Sequence, residues 1–518
     1  MKKPLFVSLL LLLITLNSIG GQTLTAAQID SLVERVLTTF DVPGIAVGII
    51  KDDKLIHAKG YGVRSLKTNQ KVDENTLFGI ASNSKAFTAA ALGMLIDEKK
   101  LTWDDKVTDY IPEFKMYNPF VTEEFTIRDL LTHRSGLGLG AGDLMMFPDG
   151  NNFTKKDIIH NLRYLKPVSS FRTKYDYDNN LYIVAGEVIE RVSGLTWENF
   201  IETRMMKPLN MTQSAASIFR LKNRSNLISP HAPVNGKVEA IDIDWSETAN
   251  AAGGICSNIT DLSKWLIMQM NNGKYGDNQR MFSEQIHEDM WTPQTIISAR
   301  ATPPYNTHFA SYGLGWFLSD VKGYKQATHT GGLAGVVTQI TLLPELKLGI
   351  IVLTNQQVGA AFSAITNTIK DSYLGVTGMD RIKQMSDRVQ KSNAEAAKIT
   401  SDIWADIDKQ QKQLTARPDV NNYVGTYTDQ WFGDVVISMN NGKMVFNSKR
   451  SPKLTGEMLF YKANTFVVKW NDRSMDADAY VQFSLDTSGK ADGIKMNAIS
   501  PLTDFSFDFQ DLDFKRTK

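Results

Sequence analysis

"GIASNSKAFTAAAL" (residues 79–92) sets a serine three residues ahead of a lysine at the point where a strand-like run becomes an alanine-rich helix. Two readings compete. Serine is a favoured helix cap and lysine a favoured helix surface residue, so Ser-x-x-Lys arises by chance in long chains. This sequence holds a second copy, Ser319 to Lys322 in "FLSDVKGY". On the other reading, Ser82 and Lys85 share a face in the first turn of a helix, and the amine reaches the hydroxyl. Backbone N–H groups at a helix start are unpaired and point outward, where a developing oxyanion would be stabilised. Ser319 lacks such surroundings: a turn between strands, with Gly323 just beyond, places it at the surface.

A serine hydroxyl is too weak an acid to attack a carbonyl unaided, so a base must lie against it. Histidine backed by a carboxylate is one solution; a lysine whose pKa falls through burial and neighbouring positive charge is another. No serine here sits in Gly-x-Ser-x-Gly, and "HRSGLG" (133–138) fails the spacing, which favours the lysine route. His133 reads as structural, since nothing in the sequence places it by the nucleophile.

Outward from this stretch, Ala26 to Thr39 has helical spacing, and "PGIAVGIIKDDKLIHAKGYGVR" (43–64) reads as a β-hairpin turning at Lys51 to Lys54. The helix after Ser82 is expected to bury one side, Phe87, Ala91, Leu92, Leu95 and Ile96, and to end at Lys99-Lys100. Residues 105–300 alternate short helical patterns with loops, and strands return from Tyr312. A sheet drawn from both ends of a domain around a helical region is α+β in layout. Residues 378–414 read as a helical linker, and 415–518 as a small antiparallel β domain with turns such as Asn441-Gly442. The expected order is a leader (1–21), the α+β domain (22–377), the linker and the β domain.

A length of 518 residues fits two domains, and 42% hydrophobic with 22% charged residues describes a folded protein. Lys+Arg number 57 against 56 Asp+Glu, so no net field attracts nucleic acid. "MKKPLFVSLLLLLITLNSIGGQ" has the layout of a secretory signal peptide, so a periplasmic or secreted protein is expected, with membrane contact only if the signal stays uncut. The single cysteine, Cys256, excludes an internal disulfide and reads as a buried inert thiol; none lies near the leader for lipid attachment. The seven histidines show no paired metal-ligand spacing, and neither metal nor organic cofactor is expected. The expected partner is a small-molecule or peptide substrate; oligomeric state is not encoded in these patterns.

Two further motifs follow in order: Tyr177-Asp178-Asn179 ahead of a helix in "YDYDNNLYIVAGEVIE", and His329-Thr330-Gly331 on a strand in "ATHTGGLAGV". With Ser-x-x-Lys, this order resembles the serine β-lactamase and penicillin-binding protein superfamily, over most of residues 25–375. The similarity is to the class C branch with its D,D-carboxypeptidase, D-aminopeptidase and esterase relatives. The C-terminal β domain resembles the lipocalin-like domain appended to some of these hydrolases.

The resemblance implies a hydrolase acting through an acyl-enzyme on Ser82, with Lys85 and Tyr177 as general base, the order of proton transfer between them left open. A nearby ammonium would favour the Tyr177 phenolate. Asn179 would hold Lys85 and the substrate amide; His329, Thr330 and Gly331 would line the substrate strand; the N–H groups of Ser82 and Gly332 would form the oxyanion hole. Histidine at 329, where dedicated antibiotic hydrolases of this branch carry lysine, tilts the expectation towards short D-residue peptides. A β-lactamase or carboxylesterase on the same site is the alternative, and a non-turnover penicillin sensor or a carrier is the alternative of another class. Asp178, where relatives often carry serine or alanine, is expected to point outward.

Overall fold

The computed structural model describes residues 23–413 and 418–517; the leader sequence lies outside the described residues. Helix α1 (Ala26–Thr39) begins at a capping box in which Thr25 and Gln28 satisfy each other's backbone N–H groups. An eight-stranded antiparallel sheet follows: β1 (Gly44–Lys51), β2 (Lys54–Gly62), β3 (Thr295–Ile297), β4 (Ala310–Tyr312), β5 (Phe317–Val321), β6 (Tyr324–Leu333), β7 (Val336–Leu343) and β8 (Leu348–Thr354), in the spatial order β2-β1-β8-β7-β6-β5-β4-β3. The two ends of the domain meet in the sheet one strand in from its β2 edge, with Val47 opposite Val352. Strands β1 and β8 are covered on both faces, so they read as unbroken apolar runs rather than alternating ones. Ile45, Val47, Ile350 and Val352 pack with Val33 and Val36 of α1 and with Ile365 and Ile369 of the helix Gly359–Tyr373. Ala46, Ile50, Ile351 and Leu353 face the helical region.

That region is led by α2 (Lys85–Asp97), which is buried on every side from Lys85 to Leu95 rather than along one stripe. A helix apolar all round belongs in a core, and Phe87 stacks on Trp265 with ring centroids 3.8 Å apart. Ser319 of the second Ser-x-x-Lys copy lies within β5 rather than in a turn, with only Lys322 at the bend; Gln326 donates to its hydroxyl.

Asp129 is fully buried and holds the segment that leads to the site. It accepts from the N–H and hydroxyl of Thr126 and pairs with Arg134 at 3.0 Å and Arg172 at 2.6 Å. Asp129→Ala removes a buried acceptor shared by Thr126 and two partly exposed arginines, so it is expected to cost about 2 kcal/mol, read as a lower denaturation midpoint at constant slope.

A single helix, Arg381–Gln413, leads to a closed eight-stranded antiparallel barrel running from Gly425–Asp429 to Phe514–Arg516. Its core is filled by aromatic side chains, among them Tyr427, Phe446, Trp470, Phe483 and Phe514. The barrel docks on residues 149–161: the Arg450 guanidinium lies 3.9 Å from the Phe153 ring centroid and donates to Asp157, and Asn161 donates to the Trp431 carbonyl. The α+β domain followed by a small all-β domain is the architecture expected from the sequence.

Candidate active site

Ser82 stands on a short 3-10 turn, Ala81–Ser84, that runs into α2. Ala81 has a φ of 50°, a left-handed value that costs a residue with a Cβ and here sits directly before the serine. The turn is clamped by Ile255 and by Thr338. Ile80 donates to the Ile255 carbonyl, Ser84 Oγ accepts from the Ile255 N–H, and Asn83 donates to Thr338, whose hydroxyl bonds the Ile80 carbonyl. A Cβ on Gly331 would lie 2.3 Å from the Ile80 oxygen, so glycine is what lets β6 approach the turn.

Lys85 is fully buried, and its Nζ donates to three oxygens: Ser82 Oγ at 3.0 Å, Asn179 Oδ1 at 2.7 Å and the Ala252 carbonyl at 2.8 Å. Burial pulls its pKa down to about 7, against Asp143 and Asp178, which favour the charged form. The physical consequence is specific. In the neutral amine, two hydrogens go to the two carbonyl oxygens, and the lone pair is left for the Ser82 hydroxyl.

Tyr177 is only partly exposed, and its ring lies 4.9 Å from Lys85 Nζ, the amine that donates to Ser82 Oγ. Burial, the largest cause, pushes this phenol well above its ordinary value, with Ser82 acting in the opposite direction. The expected stabilisation of a phenolate by the neighbouring ammonium is therefore outweighed: desolvation disfavours the anion more than the depressed lysine can favour it.

Asn179 sits directly before the helix Asn180–Ser193, with its Nδ2 donating to Asp143 at 2.8 Å. His329 is 1% exposed, its ring set against those of Phe317, Tyr312 and Tyr177. Its Nδ1–H donates to the Thr330 carbonyl at 2.6 Å, which leaves Nε2 to accept from Tyr312 at 2.9 Å. Burial and the Lys85 charge pull its pKa down to about 3, so it is a neutral wall residue. Thr330 is partly exposed on β6, and Gly332 is exposed with open space where a side chain would stand.

Two sequence expectations are corrected here. Asp178 points inward, fully buried; it accepts from Ser135 at 3.3 Å, and burial lifts its pKa to about 7. The helix start that follows supplies the reason: the Leu181 N–H donates back to its carboxyl. His133 is not remote from the nucleophile's surroundings: its ring centroid lies 4.2 Å from that of Tyr177, and its Nδ1 accepts the Asp178 N–H.

The sequence reading also missed Asp143, fully buried behind Asn179, and the barrel segment that reaches it. Between the barrel's last two strands, the chain returns to the site: Ser506 donates to Asp143 Oδ2 at 2.8 Å, and Phe505 lies edge-on to Tyr177 with centroids 6.0 Å apart. Gly140 makes room for this loop, since a Cβ there would lie 2.6 Å from the Phe505 carbonyl oxygen. The only signal for Gly140 in the sequence is its place in a glycine-rich run, 136–142, and Ser506 carries none.

A family model described as "Beta-lactamase" matches residues 29–374, and one described as a domain of unknown function (DUF3471) matches residues 409–516. The unguisins hydrolase ungD of Aspergillus violaceofuscus is 28% identical over 80% of this chain and 76% of its own length. Protein flp of Staphylococcus aureus is 28% identical over 63% of this chain, and the match spans only 62% of that relative. Among solved structures, the octameric penicillin-binding protein homologue from Pyrococcus abyssi aligns with 95% of this chain and 100% of its own at 21% identity and a TM-score of 0.61. A class C beta-lactamase aligns with 68% of this chain and 96% of its own at 21% identity and a TM-score of 0.54.

Proposed function

Because this chain belongs to the beta-lactamase family, whose members are serine hydrolases, we propose that it cleaves amide or ester bonds through an acyl-enzyme on Ser82. The observation that carries the reading is the buried Lys85 amine, bonded to Ser82 Oγ and held by two carbonyl oxygens. Lys85 takes the Ser82 proton as Oγ attacks the carbonyl carbon. The oxyanion forms at the N–H groups of Ser82 and Gly332. Tyr177, held protonated, gives its proton to the leaving group and regains one from Lys85; water then releases the acyl group.

The favoured substrates are short peptides with D-residues, acted on after export. The neutral His329 supports a substrate without a carboxylate that needs a fixed cation at this position. The barrel loop beside Tyr177 supports a short one. The printed name of the Aspergillus relative, a hydrolase, agrees with turnover rather than sensing. The D-configuration rests on the motif resemblance.

Incubation with a fluorescent penicillin and with a fluorophosphonate, followed by mass spectrometry of the digested protein, tests the nucleophile. A panel of D-alanyl peptides, nitrocefin and short acyl esters separates the substrate classes. Turnover of the peptides is expected; a stable adduct without turnover identifies a sensor, and no label at all removes the hydrolase. Phe505→Ala is expected to raise kcat/KM for longer peptides over dipeptides by roughly ten-fold, an apolar wall being worth about that much discrimination. An unchanged length profile would discard the loop as a size filter.

A further inference from the structure

We propose that the barrel domain is part of the catalytic centre: Ser506 and Asp508 act as positioning residues that, through Asp143, fix the side-chain amide of Asn179 and so the aim of Lys85. This rests on the acyl-enzyme reading above. Three contacts define the device. Ser506 Oγ donates to Asp143 Oδ2 at 2.8 Å, and Asp508 accepts the backbone N–H of Gly142 at 2.6 Å and of Leu144 at 3.0 Å. The barrel thus grips Asp143 by its carboxyl and by the peptide on either side, and Asp508 itself is fully buried.

The consequence for Asn179 follows from donor and acceptor chemistry. Its amide has one end that donates and one that accepts. Asp143 Oδ2 takes two donors, Ser506 and Asn179 Nδ2, and so turns the nitrogen end of the amide towards itself. The oxygen end is left facing Lys85 Nζ at 2.7 Å. Both donors use the same carboxyl oxygen, while Oδ1 makes no hydrogen bond, so the arrangement holds whether or not Oδ1 carries a proton. Reversing the amide would present an NH2 group to the amine, and Lys85 would lose one of the two carbonyl oxygens that direct its lone pair at Ser82. Burial pushes the carboxyls of Asp143 and Asp508 well above the carboxylate range, as expected of two acids brought together away from water.

The test uses the full chain. Ser506→Ala is expected to slow acylation by a fluorogenic ester or nitrocefin roughly ten-fold in kcat, with KM within two-fold and the melting midpoint nearly unchanged, since one hydrogen bond to a charged or buried carboxyl is lost. Ser506→Thr, which keeps the hydroxyl, is expected to restore most of the rate, a rescue that a merely structural role would not require. In the Ser506→Ala/Asp143→Asn double variant, the losses are expected to fall short of the product of the single ones, because both act through Asn179. Wild-type protein that labels at Ser82 while Ser506→Ala labels equally fast overturns this inference and leaves the hydrolase reading intact. Full multiplication of the two losses overturns it as well. Wild-type protein that does not label at Ser82 overturns both.

Discussion

Ser82→Ala is expected to abolish covalent labelling and to lower kcat by about 10^5-fold or more, the scale on which removal of an acylated nucleophile acts in serine hydrolases. The fold should not register the change. Ser82 Oγ is a partner of Lys85, yet the amine keeps Asn179 Oδ1 and the Ala252 carbonyl, and the turn keeps its clamps to Ile255 and Thr338. Circular dichroism and the melting midpoint are therefore expected to match the wild type. Residual turnover within ten-fold of wild type in the purified variant would place the chemistry on another residue.

The second large effect concerns Lys85 and pH. In the proposed mechanism its amine serves as base only when neutral, and burial sets its pKa at about 7. The acylation rate is therefore expected to rise with pH through about 7, falling ten-fold per unit on the acid side. Asp178 titrates in the same range, so the variant Asp178→Asn separates the two: a limb that survives it belongs to Lys85. Lys85→Met is expected to lose at least 10^3-fold in kcat, a scale like that of a removed general base, together with this limb. Stability carries the same signature with a definite sign. Between about 7 and the ordinary lysine value near 10.4, the unfolded chain holds a proton at this position that the native chain does not, so the Lys85 contribution makes the native state gain stability as pH rises across that window. Chemical denaturation at pH 7 and pH 9 of the wild type and of Lys85→Met measures the difference.

Much of this was legible in the sequence because it is carried by local pattern. The β1 and β8 runs, the Ser82 turn and the alternation after Val420 each announce their element within a few residues, and the three ordered motifs name Ser82, Lys85, Tyr177 and Asn179, which the fold brings together. What stayed hidden depends on long-range placement. Asp143 and Ser506 lie 363 positions apart, and neither carries a local signature. The inward turn of Asp178 is decided by the N–H of Leu181 and by Ser135, a residue from another loop. His329 reads as a substrate-strand group from its motif, and its burial and its bond to the Tyr312 phenol could not be read there. Helix α2 looked one-sided because alanines are neutral in such patterns, although they are what permits close packing all round.

The pairing of Val47 with Val352 has a further consequence, for the time at which the protein acquires its shape. The first strand cannot find its partner β8 until roughly three hundred more residues have been synthesised, an interval of about 15–60 s at ordinary rates of translation. Until then β1 exposes one unpaired edge and two apolar faces with no mate. Such a chain closes a very long loop late and folds slowly once it does. Synthesis of this enzyme should therefore depend on holdase chaperones far more than its modest charge and unexceptional composition suggest.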